Sequence, residues 1–134
     1  GHRSTAALRV EVASARGALV TPMWDEPFGL VAAEALSCGT PVVGFDRGAL
    51  GEVIGDCGLL VTGGNVEKLA DVIARVDSIP RTACRKRAEE RLSISAMIAG
   101  YERCYASVIA GDRSVSKASA ASASSCSSTR ALLA

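Results

Sequence analysis

Glu26 and Glu34 stand eight positions apart in the stretch WDEPFGLVAAE, which runs on into ALSCGTPVVGF. The first acid shares a loop-like segment with Pro27, Phe28 and Gly29. The second lies among Val31, Ala32, Ala33, Ala35 and Leu36. A carboxylate is costly to bury among aliphatics unless something pairs with it, so Glu34 asks for a partner. Ionised carboxylates accept hydrogen bonds from vicinal hydroxyls, which makes diols a natural ligand for such acids. If a helix opens near Gly29, the amides of Phe28, Gly29 and Leu30 are candidate unpaired donors at its start, a site suited to phosphate. Gly29, lacking a Cβ, would let a ligand come close to the backbone. At the helical rise the two acids are separated by on the order of 7–9 Å along the axis, roughly the length of a diphosphate. A ligand with hydroxyls at both ends and phosphates in the middle, such as a nucleotide-sugar, has that form. A plainer reading stays open: Glu26 as a surface acid near a helix start, and Glu34 as a partly exposed helix residue.

The elements that must position these residues are legible as a β-α-β-α-β series. Ala18–Thr21, Pro41–Phe45 and Gly58–Val61 are unbroken apolar runs, the pattern of strands buried on both faces of a parallel sheet. Val20, Val43 and Leu60 are expected in the middle of that sheet, with helices on both faces. Gly29–Cys38 reads as a helix stopped by Gly39, and Ala49–Ile54 as a short helical turn. In a parallel α/β sheet ligands sit beyond the carboxyl ends of the strands, where Pro22–Phe28 leaves the first strand and enters the helix. Ahead of the sheet, residues 5–16 read as a helix burying Leu8, Val12 and Ala15. Beyond it, Asn65 can cap a helix with Leu69, Val72, Ile73 and Val76 on one side. Pro80 separates this helix from Arg81–Leu92, a mostly charged and exposed helix whose Arg85–Glu89 and Lys86–Glu90 spacings favour i, i+4 pairs over a phosphate site. Ser93 or Ser95 opens another helix, with Ile94, Met97, Ile98, Tyr101, Tyr105 and Val108 along one side. The tail, residues 112–134, is Ser/Ala-rich with almost nothing to bury and is expected to be disordered. The domain reading is therefore 1–111 for one α/β unit that could take a nucleotide-sugar and 112–134 for the tail.

The totals agree with a single α/β unit. The chain has 134 residues, of which 49% are hydrophobic and only 4% aromatic, so the core is aliphatic. A net charge of +1 gives no footing to a nucleic-acid or anionic-membrane surface. No apolar run approaches the roughly 18 residues of a membrane span. The opening GHRSTAALR has no methionine and no apolar signal region, so a cytoplasmic location is expected. Five cysteines lie at wide, irregular spacings beside a single histidine, His2, so neither a zinc site nor a disulfide framework fits. Cys38 and Cys57 are expected as small buried apolar residues.

The stretch EPFGLVAAEALSCGTPVVGFDRGALGEVI followed by CGLLV resembles the donor-binding half of the GT-B glycosyltransferases, in particular family 4 and its WDEPFG bacterial branch. The resemblance covers about residues 5–109 and rests on the E-x7-E pair, Glu26 and Glu34. It implies a retaining glycosyl transfer from a UDP-, GDP- or ADP-sugar to an acceptor, with no metal at the diphosphate. Glu26 would then touch the donor-sugar hydroxyls and be the catalytic residue of the pair. Glu34 would hold the ribose, and Phe28, Gly29 and Leu30 would offer backbone amides to the sugar or diphosphate. The family's GG-x-PE region here reads GALGE, over Gly48–Glu52, without the second glycine and the proline.

The same resemblance implies what this chain does not carry. It matches only the later part of the second Rossmann-like domain of a GT-B fold. The acceptor domain has no counterpart here, nor do the Arg and Lys that neutralise the diphosphate. These residues alone are therefore expected to be inactive, the other half coming from an upstream domain or a partner chain. In a full-length enzyme, peripheral attachment to the inner membrane face is a further expectation. A non-catalytic nucleotide-sugar-binding remnant and an α/β interaction module are the alternatives.

Overall fold

The computed structural model describes residues 2–111. The order of elements is α1 (Thr5–Ser14), β1 (Ala18–Val20), α2 (Leu30–Ser37), β2 (Val42–Asp46), α3 (Leu50–Ile54), β3 (Gly58–Thr62), α4 (Val66–Ile73), α5 (Arg81–Arg91) and α6 (Ile94–Ile109). Single turns of 3-10 helix cover Gly55–Cys57 and Val76–Ser78. The described residues divide into two compact units, 2–92 and 93–111.

The first unit is built on a three-stranded parallel sheet in the order β1-β2-β3. The unbroken apolar runs have a direct cause, because β2 is covered on both faces. Val42 packs into one cluster with Ala32, Ala35, Leu36, Leu50, Ile54 and Cys84, drawn from α2, α3 and α5. Val43 and Phe45 point the other way, into a second cluster with Val61, Leu69, Val72 and Val76. Leu36, Leu50 and Ile54 are fully enclosed, and each such aliphatic side chain contributes about 2–3 kcal/mol. Gly44 has no room for a side chain on β1's side: a Cβ there would stand 1.9 Å from the Val20 carbonyl oxygen. Of the three residues expected in the middle, Val43 is on the central strand. Val20 and Leu60 lie in the flanking strands, in register with Gly44 on either side.

Several helices differ from the sequence reading in what they bury. No residue of α1 is buried, and Leu8, expected inside, is 44% exposed. The helix is attached at its carboxyl end, where the half-buried Val12 packs against the sheet cluster and polar contacts join it. Thr40 Oγ1 donates to the Val12 carbonyl at 2.7 Å, and Arg81 donates to the carbonyls of Ala13 and Ala15. On α4 the Asn65 cap forms as expected, its Oδ1 accepting the Lys68 N–H at 2.9 Å, while Ile73 is exposed. The charged α5 carries both predicted pairs, Arg85–Glu89 and Lys86–Glu90. It also buries Cys84 and Ala88 against the sheet cluster, so it is a core helix with one wet face. Cys57 is buried as expected, but Cys38 is only half-buried at the end of α2. Burial pushes the Cys84 thiol up to about 12, Cys57 beside it adding to the effect, and burial raises Cys57 as well.

In the second unit, Ser93 caps α6 by accepting the Ala96 N–H on its Oγ. The side predicted to be apolar is exposed along its length, with the Tyr101 and Tyr105 rings stacked at 6.2 Å. No helix among the described residues is long and apolar enough to cross a membrane. The Ser/Ala tail falls outside the described residues.

Candidate functional site

The loops leaving β1 and β2 at their carboxyl ends are locked together through Glu26. Its carbonyl oxygen accepts the Ala49 N–H at 2.7 Å. Gly48, at φ +56°, comes so close that a Cβ there would lie 2.2 Å from that same oxygen. The position therefore needs glycine twice over, for its left-handed backbone and for the space. The Glu26 side chain turns back on its own loop. Oε1 accepts the Gly29 N–H at 3.2 Å, and Oε2 accepts Trp24 Nε1–H at 3.1 Å, with the indole itself exposed.

Gly29 is the N-cap of α2, buried and at φ +89°. A Cβ there would meet Leu50 Cδ2 at 2.6 Å, so the space beside the glycine is filled by α3. The first bond of the helix runs from the Ala33 N–H to the Gly29 carbonyl at 3.0 Å. The amides of Leu30, Val31 and Ala32 precede it and have no intrahelical acceptor. Of the four amides at this helix start, Glu26 occupies one and leaves three.

Glu34 differs from the expectation of an acid placed among aliphatics, because it is exposed. Ala32, Ala35 and Leu36 form the face of α2 that meets the core, and Glu34 is on the opposite face together with Leu30, Ala33 and Ser37. There it lines an open groove of about 310 Å³ whose near wall is Phe28, Leu30, Ala33 and Ser37. Phe28 and Leu30, both largely exposed, stand at the end of the groove nearest the helix start. Glu26 is not part of the lining. The two acids thus belong to one helix start and the groove beside it, Glu26 within the loop and Glu34 in the wall.

The far wall, missed in the sequence, comes from α5: Arg85, Ala88, Glu89 and the following Leu92. Arg85 Nε donates to Glu89 Oε1 at 2.6 Å, and its Nη1 donates to the Ser37 carbonyl at the carboxyl end of α2. The ion pair was readable from i, i+4 spacing. The contact with Ser37 was not, although a cation at a helix carboxyl end is electrostatically favoured. Thr40, just ahead of β2, is fully buried, donates to the Val12 carbonyl and receives Arg81 Nη2 at 3.0 Å.

A family model described as glycosyl transferases group 1 matches residues 2–91, the whole of the sheet and its covering helices. The chain belongs to this family. Among its relatives, a D-inositol 3-phosphate glycosyltransferase of Mycolicibacterium smegmatis is 38% identical over 103 residues, covering 70% of this chain and 24% of the relative. An enzyme of the same name from Arthrobacter sp. is 46% identical over 66 residues, 48% of this chain and 16% of the relative. An MMP alpha-(1->4)-mannosyltransferase of Mycolicibacterium hassiacum is 37% identical over 112 residues, 74% of this chain and 27% of the relative. The chain spans about a quarter or less of the length of these glycosyltransferases, and the matched part is a C-terminal segment of the GT-B architecture.

Proposed function

We propose that this segment binds the nucleotide-diphosphate sugar donor of a retaining glycosyl transfer of the family 4 type, without a metal. The observation that carries the reading is the start of α2, where Leu30, Val31 and Ala32 amides lack intrahelical acceptors between the Glu26 loop and a groove lined by Glu34. Two of these amides belong to the exposed residues Leu30 and Val31 and suit a diphosphate, while Ala32 is fully buried. The exposed Glu34 carboxylate suits the ribose diol, and Glu26 suits the hydroxyls of the donor sugar. In this reading Phe28, Gly29 and Leu30 form the edge over which sugar and diphosphate lie. The Gly29 amide is held by Glu26, so a ligand oxygen would have to replace or share that carboxylate.

Transfer itself needs an acceptor wall and cations for the leaving diphosphate. Removing even one group that stabilises developing charge typically costs about 3–4 kcal/mol in the transition state, and an open groove admits water to the donor. The chain alone is therefore read as a donor-binding part with at most millimolar affinity, completed by an upstream domain or a partner chain. Its relatives' names specify phosphorylated inositol in one case and a transferred mannosyl group in another, and for the complete enzyme we propose chemistry of that kind.

Titration of the ¹⁵N-labelled chain with UDP-, GDP- and ADP-sugars tests the reading. Shifts are expected at Leu30–Ala32 and around Glu34 with one nucleotide series. Glu34→Ala should weaken the nucleotide part, and Glu26→Ala should weaken only binding that depends on the sugar. Absence of any shift at the α2 start up to tens of millimolar would end the donor reading. Acceptor-dependent release of nucleoside diphosphate by the isolated chain would end the account of it as incomplete.

A further inference from the structure

The chain's single tryptophan, Trp24, takes no part in either core cluster and is 63% exposed. Tryptophan carries one of the largest apolar surfaces and is usually mostly covered, so an indole left in solvent needs a reason. The ring is tethered as well as exposed. Its Nε1–H donates to Glu26 Oε2 at 3.1 Å, and Glu26 Oε1 accepts the Gly29 N–H at 3.2 Å, which ties the indole through the carboxylate to the start of α2. Glu26 is half-buried, and its carbonyl oxygen is held by the Ala49 N–H. An ionised carboxylate has room for about four hydrogen bonds, of which these side-chain contacts use only part. Its remaining acceptor positions lie at the edge of a flat, accessible, apolar plate. A hexose ring has the matching construction, with C–H bonds on its face and hydroxyls around its rim. Laid on the indole, the face leaves water while rim hydroxyls reach the charged acceptor beside it.

We propose that Trp24 is the sugar-stacking residue of this segment, its indole carrying the C–H face of the donor hexose while Glu26 takes the hydroxyls. The proposal rests on the donor reading and deepens it: the sugar lies over the loop of residues 24–26, and the Glu34 groove is left to the nucleotide. A hydroxyl projecting from the stacked face would be stripped of water without gaining a partner, so the plate selects among hexoses as well as holding one.

With one tryptophan in the chain, the indole Nε1–H gives a single cross-peak in spectra of the full ¹⁵N-labelled protein. UDP-glucose, GDP-mannose and ADP-glucose are titrated in, each beside its own nucleoside diphosphate. One nucleotide-sugar is expected to move that cross-peak and to show its hexose ring protons shifted upfield by the indole. The matching nucleoside diphosphate should move only Leu30, Val31 and the surroundings of Glu34. Trp24→Ala should lower the preference for nucleotide-sugar over nucleoside diphosphate by about tenfold, the loss of one apolar contact face. Trp24→Phe, which keeps a flat ring and loses the tie to Glu26, should fall between the two. Because the side chain is exposed, both variants should fold. An indole cross-peak that stays still while Leu30 and Val31 shift would overturn the proposal and leave the donor reading standing. So would an equal loss for both ligands in Trp24→Ala, or a nucleoside diphosphate that moves the indole as far as its nucleotide-sugar does. A nucleotide-sugar that moves the indole and leaves Leu30 and Val31 still supports the sugar platform and sinks the phosphate part of the donor reading. No shift at either place with any ligand, up to tens of millimolar, ends both.

Discussion

Two helices of equal length, α2 and α4, start at the carboxyl edge of the same sheet, and they start differently. At α4 the cap is local and closed. Asn65, in extended backbone, accepts the Lys68 N–H on its own side chain. At α2 the N-cap is Gly29, which has no side chain to offer, and the acceptor comes from Glu26 three residues earlier. Asn65 satisfies an amide inside the first turn. Glu26 satisfies the amide of the cap itself and leaves the whole first turn, Leu30 to Ala32, without intrahelical acceptors. α4 thus opens with a first-turn amide capped by its own N-cap side chain, and α2 opens with only its cap amide satisfied. The backbone of the α2 loop is pinned by Ala49 and Gly48, while its charged side chain remains replaceable.

The largest way to break the contrast is Gly29→Ala. The residue sits at φ +89° and its Cβ would press on the fully buried Leu50. Strain at a left-handed position and displacement of a core side chain together predict a loss of about 2–4 kcal/mol. Urea unfolding followed by circular dichroism measures it. A loss below about 0.5 kcal/mol, the range of an ordinary surface change, would mean that the left-handed cap does not hold the loop.

Why some of this was legible in the sequence, and some not, follows from the same positions. The Asn65 cap is a local signal, one residue and the amide three positions on, and it was read correctly. The β2 run was read because both of its faces are buried, which removes alternation. Gly48 was noticed only as part of a motif, because its reason for being glycine is the backbone of residues 25 and 26, and a tertiary approach leaves no periodicity. The groove's far wall was missed for a related reason. The i, i+4 pairs of α5 read as a solvated face, which they are, but Cys84 and Ala88 on the opposite face carry that helix into the core beside α2. Leu8 was misread because amphipathic spacing announces a face to bury and cannot say whether a partner is present.

Asn65→Ala is the matching cut at the other helix and should cost about 1 kcal/mol, the usual value of a side-chain cap. It should leave every ligand-induced shift at Leu30–Ala32 unchanged. A change in those shifts would mean that the two helix starts are coupled.

The element following α4 adds a smaller, pH-dependent effect. Arg16 hydrogen-bonds and pairs with Asp77 in the turn Val76–Ser78 and holds that carboxyl below the usual aspartate range. A depressed folded-state value gives stability that is present above the ordinary aspartate pKa and lost as pH falls through the folded one. Since both partners are exposed, the contribution is slight and sensitive to salt. Thermal melts between about pH 6 and pH 3 should therefore show a shallower acid-side decline in Asp77→Asn than in wild type. Identical profiles would remove the pair from the account.

The smallest change to stability is expected from Glu26→Gln, and it sharpens the comparison most. Glutamine keeps one carbonyl oxygen, enough to accept the Gly29 N–H, but its amide nitrogen cannot also accept Trp24 Nε1–H. Trp24 is exposed and can turn that donor to water, so the fold should lose only a few tenths of a kcal/mol. The backbone bond from Ala49 to the Glu26 carbonyl is untouched, and the loop should stay where it is. The charge, however, is gone. If the carboxylate were there only to cap Gly29, its replacement by an amide would alter nothing but that small stability term. If it is there to grip the hydroxyls of a donor sugar, the ionised acceptor is what matters, and sugar-dependent affinity should fall by about tenfold, the difference between a charged and a neutral hydrogen bond. Calorimetric titration with a nucleotide-sugar and with its nucleoside diphosphate, each against wild type and Glu26→Gln, separates the two roles. A fall confined to the nucleotide-sugar supports the site. An equal fall for both ligands would move Glu26 from the sugar to the diphosphate, and unchanged affinity for both would make it a cap and nothing more.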